Sequence, residues 1–193
     1  MNYRALVLVI SITGLCTAAW GGNIEGKVTG VKGASVVYIE AIAGKSFPAP
    51  AQHPVVAQTH LMFQPHILSV QLDSTVDFLN NDSVAHNVFW ASVGGNKKLG
   101  HNLGTWPQNE KHSFKFDAPG VVPLFCNVHP EMTGYIVVAP TPYFALTDES
   151  GEYKMEGVPD GSYSLTVWHE GIKSQSKHVD VAGDTKAEFT LSR

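Results

Sequence analysis

Phe125-Cys126-Asn127-Val128-His129-Pro130-Glu131-Met132 holds a thiol, an imidazole and a thioether within seven residues, from Cys126 to Met132. Val121 to Phe125 before it and Tyr135 to Val138 after it are rich in β-branched and aromatic residues and read as strands. The segment is therefore a ligand-rich loop joining two strands. Spacings of three bring the side chains toward one centre if the chain turns tightly, and Pro130 restricts such a turn. Thiolate, imidazole and thioether are the soft and borderline donors that copper selects.

Upstream, Asn80-Asn81-Asp82-Ser83-Val84-Ala85-His86-Asn87-Val88-Phe89 offers a second imidazole at a strand and turn. A trigonal site with two His, one Cys and a weak axial Met needs one ligand from elsewhere in the fold, and His86 is the best candidate. Zinc is the chemical competitor, because Cys plus two His is also a zinc set; Glu131 in place of Met132 would give the harder fourth ligand zinc prefers.

The rest of the chain alternates in the same way. Val36 to Ile39, Ile67 to Leu72, Thr75 to Leu79 and Ser113 to Phe116 read as strands, separated by turn residues at Asp73-Ser74, Asn80-Asn81-Asp82, Gly94-Gly95-Asn96 and Ala118-Pro119-Gly120. No amphipathic helix of three turns is apparent. Ala139-Pro140-Thr141-Pro142 cannot donate a full ladder of hydrogen bonds and marks a boundary. Beyond it, Tyr143 to Thr147, Tyr153 to Glu156, Tyr163 to Trp168, Ser176 to Val181 and Ala187 to Leu191 form a second set of strands.

Asn81-Asp82-x-x-x-His86-Asn87-Val88 paired with Cys126-x-x-His129-x-x-Met132, together with Phe63-Gln64-Pro65 and Gly120-Val121-Val122, resembles the cupredoxins of plastocyanin and amicyanin type, including proteins called methylamine-utilisation-like. The resemblance covers roughly residues 60 to 139. It implies a Greek-key sandwich with one type 1 copper, His86, Cys126 and His129 as equatorial ligands and Met132 as the axial one. It also implies a hydrogen bond from Asn87 toward the Cys126 sulfur. Thr147 to Tyr153 and Val158 to His169 resemble the carboxypeptidase regulatory-like, transthyretin-like β-sandwich. Such a sandwich wants about seven strands, and this segment offers five. Gly26 to Val28 and Ala34 to Glu40 resemble its missing opening strands, so the copper module is expected to be inserted into it; two domains in series is the alternative.

The expected organisation is an all-β chain with a leader at 1–19, N-terminal strands at 20–47, a copper domain at 48–139 and the smaller sandwich at 140–193. Met1 to Arg4 carries one positive charge, Ala5 to Leu15 is apolar, and Thr17-Ala18-Ala19 suits signal peptidase. That apolar run is well short of the roughly 20 residues of a spanning helix. Cleavage would remove Cys16 and leave Cys126 as a lone thiol in an oxidising, periplasmic compartment, where occupation by a metal protects it.

The chain carries 16% charged residues and a net charge of −4, with no basic cluster to displace counterions from nucleic acid. His53, His60, His66, His101, His112, His169 and His178 lack pairwise ligand spacing and read as surface or hydrogen-bonded residues. The functional expectation is a non-enzymatic electron carrier with protein redox partners, His129 as the exit route and Val128, Pro130 and Met132 supplying part of a solvent-facing apolar patch beside it. Copper storage, delivery or sensing is the alternative.

Overall fold

The computed structural model describes residues 21–192; the expected leader at 1–19, with Cys16, lies outside the described residues. In chain order the strands are β1 (Gly21–Thr29), β2 (Ser35–Ile39), β3 (Val55–Thr59), β4 (Met62–Gln64), β5 (Ile67–Gln71), β6 (Thr75–Asn80), β7 (His86–Trp90), β8 (His101–Trp106), β9 (Lys111–Lys115), β10 (Gly120–Phe125) and β11 (Thr133–Ala139). They continue as β12 (Phe144–Leu146), β13 (Glu152–Pro159), β14 (Gly161–His169), β15 (Ile172–Val181), β16 (Thr185–Lys186) and β17 (Phe189–Thr190). Among the described residues one short 3-10 turn, at Lys97–Leu99, interrupts an otherwise all-β succession.

The central strands make a sandwich of two sheets, ordered β5-β11-β10-β7-β8 and β4-β3-β6-β9. β11 runs parallel to β5, and β3 parallel to β6, while the other neighbours are antiparallel, the pattern of Greek-key connections. Between the sheets lie Val56, Phe63, Phe78, Val88, Trp90, Trp106, Phe116, Leu124 and Ile136. Each large side chain taken from water contributes about 1.5–3 kcal/mol. Strand alternation puts the site in register with this core: Val122 and Leu124 face inward from β10, and Cys126 follows in the same phase.

The second sandwich uses both ends of the described chain. Its sheets are β13-β1-β16, with β17 also on β1, and β12-β2-β14-β15. Ile24 faces Met155 across the β1–β13 pair, and Val37 faces Val167 across β2–β14. Ile24, Val28, Val37, Ile39, Met155, Leu165, Val167 and Phe189 share its core. The strand expected at Ala187 to Leu191 is reduced to β17, and a further short piece, β16, precedes it; both lie parallel along β1. They are broken at Ala187, whose carbonyl oxygen sits so close to Gly26 that a Cβ there would lie 1.7 Å away.

Several strands lie outside the runs singled out from sequence. β3 and β4 form a hairpin whose tip, His60 and Leu61, holds φ values of 55° and 58° without Gly or Asn to signal the turn. β8 carries polar side chains on its outer face, so its alternation is weak.

Candidate metal centre

His86 is the first residue of β7, Cys126 directly follows β10, and His129 lies in the loop between β10 and β11. Their ligand atoms all lie within 4.8 Å of one another, and among the described residues this is the only such group. His86 and Cys126 are buried and His129 is partly exposed. The two imidazole Nδ1 atoms stand 3.0 Å apart, with ring centroids separated by 4.8 Å. His86 reaches Asp82 with its other nitrogen, Nε2 donating to Oδ2 at 2.8 Å. Because the carboxylate only accepts, this contact keeps the proton on Nε2 and leaves Nδ1 of the neutral ring with a lone pair aimed at the site.

Asp82 also accepts the main-chain N–H groups of His60 at 2.7 Å and Leu61 at 2.9 Å. One carboxylate therefore ties the β3–β4 hairpin tip to His86. Burial opposes its ionisation, but the bonds from Leu61, His86 and His60 outweigh that and hold it below the usual carboxylate range.

The Cys126 sulfur accepts the main-chain N–H of Asn87 at 3.4 Å. The Asn87 side chain donates to Asn102 Oδ1 at 2.9 Å and the Gly104 carbonyl at 2.7 Å, and accepts from Asn127 N–H at 3.3 Å. A register shift between Asn87 and Phe89 in the β7–β8 pair turns Asn87 toward this network. Asn87 thus joins the ligand loop, β7 and β8 around the sulfur. Met132 is buried in the same core cluster as Cys126, and its N–H donates to the His129 carbonyl at 3.0 Å; Glu131 beside it is exposed. Two imidazole nitrogens and a buried thiol form a donor set of the soft and borderline kind that copper accepts.

The remaining histidines have other partners. His53 meets Asp77 at 3.3 Å, His112 stacks on Trp106, His169 bonds Ser35 in the terminal sandwich, and His178 bonds Ser162. His101 packs its ring on Phe114, His60 occupies the hairpin tip, and His66 bonds Glu170. Asp82 and Asn102 support His86 and Asn87 in addition to the residues expected from sequence. The four-residue interval from Asp82 to His86 was a usable signal for the first. Asn102 had none, since its place depends on the β7–β8 register.

The fold and the site define a cupredoxin, and the chain belongs to the family of copper binding proteins of plastocyanin/azurin type, matched over residues 51–139. Residues 133–192 match the carboxypeptidase regulatory-like domain. Amicyanin-alpha of Methylorubrum extorquens is 34% identical over 92 residues, covering 47% of this chain and 75% of that protein. Among solved structures, the Cu(I) form of an amicyanin mutant is similar over 45% of this chain and 81% of that one, at 23% identity and a TM-score of 0.41. A purple cupredoxin from Nitrosopumilus maritimus is similar over 45% of this chain and 99% of that one, at 22% identity and a TM-score of 0.40.

Proposed function

We propose that this chain is an exported, periplasmic electron-transfer protein with one type 1 copper, held by His86, Cys126, His129 and Met132. The convergence of two Nδ1 atoms and a buried thiol within 4.8 Å, with Asn87 N–H on the sulfur, carries this reading. Copper supplies a one-electron couple between Cu(I) and Cu(II). The protein's part is to hold the donors still: Asp82 orients His86, Asn87 orients Cys126, and the buried β10 and β11 fix both ends of the loop. Burial of Met132 against exposure of Glu131 favours the thioether as fourth ligand.

Val128 (47% exposed) and the exposed Pro130 flank His129, whereas Met132, expected in the same patch, is buried in the core; Leu61 (41%) and Val84 (45%) lie on the hairpin tip and the loop that Asp82 joins. Exposed apolar side chains on neighbouring loops suit brief redox encounters with protein partners. His129, the partly exposed member of the set, is the exit route. Among the described residues no helix is long and apolar enough to cross a membrane. For the domains, we take 48–139 as the copper domain and 20–47 with 140–193 as one carboxypeptidase regulatory-like sandwich, preceded by a leader at 1–19.

The deciding experiment loads the mature chain with Cu(II). Intense visible thiolate-to-copper absorption, abolished by Cys126→Ser, is the expected result. A colourless protein that binds zinc with equal stoichiometry overturns the reading. Rapid loss of copper to a chelator, without a reversible redox couple, would mark a delivery or storage protein instead.

A further inference from the structure

The two sandwiches meet at an apolar layer made by Val36 and Trp168 on the terminal side and Ile67 and Val137 on the copper side. At its edge the Tyr135 ring lies 5.1 Å from Trp168, and the His66 ring 5.6 Å from Tyr135. His66 has a partner on each side. Its Nε2 is 2.8 Å from Glu170 Oε2, just past the end of β14 in the terminal sandwich. Its Nδ1 is 3.2 Å from the main-chain carbonyl of Thr133. Thr133 directly follows Met132 and opens β11.

The main chain of His66 is fixed independently of its ring. Its carbonyl accepts the Tyr135 N–H at 2.8 Å, so His66 touches β11 on both sides of Gly134. A Cβ at Gly134 would stand 3.0 Å from Phe63 Cβ and 3.2 Å from the His66 carbonyl oxygen, so the two strands approach closely here. What the His66 backbone leaves open is the direction of its ring, and Glu170 sets that direction. Burial opposes ionisation of Glu170, but hydrogen bonds from His66 and Tyr135 outweigh it and hold the carboxyl below its usual range. Glu170 is a charged acceptor at neutral pH.

We propose that Glu170 and His66 are positioning residues through which the terminal sandwich holds the Met132 end of the metal-binding loop. On this view the terminal sandwich is a docked support for the metal centre. The inference rests on the copper reading given above. As a stability device the pair is weak, because both side chains are more than two-fifths exposed and such pairs contribute little. Because the carboxylate and the carbonyl both only accept, the two contacts together use the imidazolium form of His66, with an N–H on each nitrogen; with that ring released, the Thr133 carbonyl loses a donor and the loop end gains freedom. An axial ligand on a looser loop alters the potential and the visible spectrum of a type 1 site.

The test uses the full mature chain and the variants Glu170→Ala, Glu170→Gln and His66→Phe. In the metal-free protein, hydrogen exchange at the Met132 amide, which donates to His129, should quicken roughly three- to five-fold in Glu170→Ala. Glu170→Gln, which keeps an acceptor oxygen, should restore most of the protection. In the copper form, Glu170→Ala and His66→Phe should shift the reduction potential and the ratio of the two visible bands equally, and the double variant no further. Wild-type exchange and spectra in Glu170→Ala at full copper loading would overturn the proposal. Should His66→Phe fail to fold, the two Glu170 variants decide it. A wild-type chain that takes up Cu(II) without thiolate absorption would instead sink the copper reading itself, while the exchange measurement on metal-free protein still judges the Glu170 link.

Discussion

The two sandwiches place their buried polar residues differently. In the copper sandwich three of the buried polar residues, His86, Asn87 and Asn80, belong to two hydrogen-bonded groups at the ligand end, Asn80–Asp82–His86 and Asn87–Asn102. In the terminal sandwich the buried polar side chains are dispersed and locally satisfied: Ser35 with His169, Thr141 with the Ile39 carbonyl, Thr147 with the Ser35 N–H. Dispersed bonds of this kind satisfy the backbone and leave no donor free to face a ligand. A connected network holds several side chains in one relative geometry, which a metal centre requires. The difference separates a sandwich built around a site from one built to dock.

Deleting residues 21–47 should have the largest effect, because it removes β1 and β2 from the middle of both terminal sheets. The expected outcome, read by limited proteolysis and circular dichroism, is loss of the terminal sandwich while residues 48–139 keep their fold. Loss of both would show that the copper sandwich depends on its neighbour more than its continuous core suggests.

Asp82→Asn comes next. It weakens the hold on His86 and on the hairpin tip, and copper affinity measured by competition should fall about 10–100-fold.

Asp77, buried on β6 and paired with Ser113 of β9, accepts hydrogen bonds from Lys111 at 2.7 Å and Ser113 at 2.6 Å. Burial opposes its ionisation, but those bonds and His53 hold its carboxyl below the usual range. A depressed folded-state value means the stabilisation is fully present above the unfolded value of about 4 and is lost as pH falls through the folded one. Asp77→Asn should cost on the order of 2 kcal/mol at pH 7 and flatten the acid limb of a plot of Tm against pH.

Gln58 is fully buried in β3, and neither its side-chain oxygen nor its nitrogen has a hydrogen-bond partner among the described residues. Gln58→Met should stabilise the copper sandwich by about 1 kcal/mol in thermal unfolding. A loss of stability would instead show that the amide belongs to the polar network. Val128→Ala should be the mildest change to the fold, within about 0.5 kcal/mol, since the residue is 47% exposed and lies outside both cores. Its effect should appear in electron exchange with protein partners.

The ligand loop was legible because its donors lie within seven residues and the alternation of β10 carries Cys126 into the core. The strands around it were readable for the same reason, as runs of β-branched and aromatic residues. Strands β3, β4, β7 and β8 were harder: they are short or polar on one face, and the hairpin tip at His60 and Leu61 lacks turn residues.

By itself, then, the sequence determined an all-β chain, two sets of strands, and the candidate donors His86, Cys126, His129 and Met132, since strand period and ligand spacing are local properties. The sequence pointed to β1 and β2 as the missing strands of the terminal sandwich, but tertiary structure decided their partners and register, more than a hundred residues away. Tertiary structure also decided that Asp82 joins a hairpin to a histidine, that Asn102 steadies Asn87, and that Glu170 reaches His66. Those contacts follow from sheet register and from the packing of one sandwich on another, where residues distant in the chain come within hydrogen-bond reach and local pattern carries no trace of the partner.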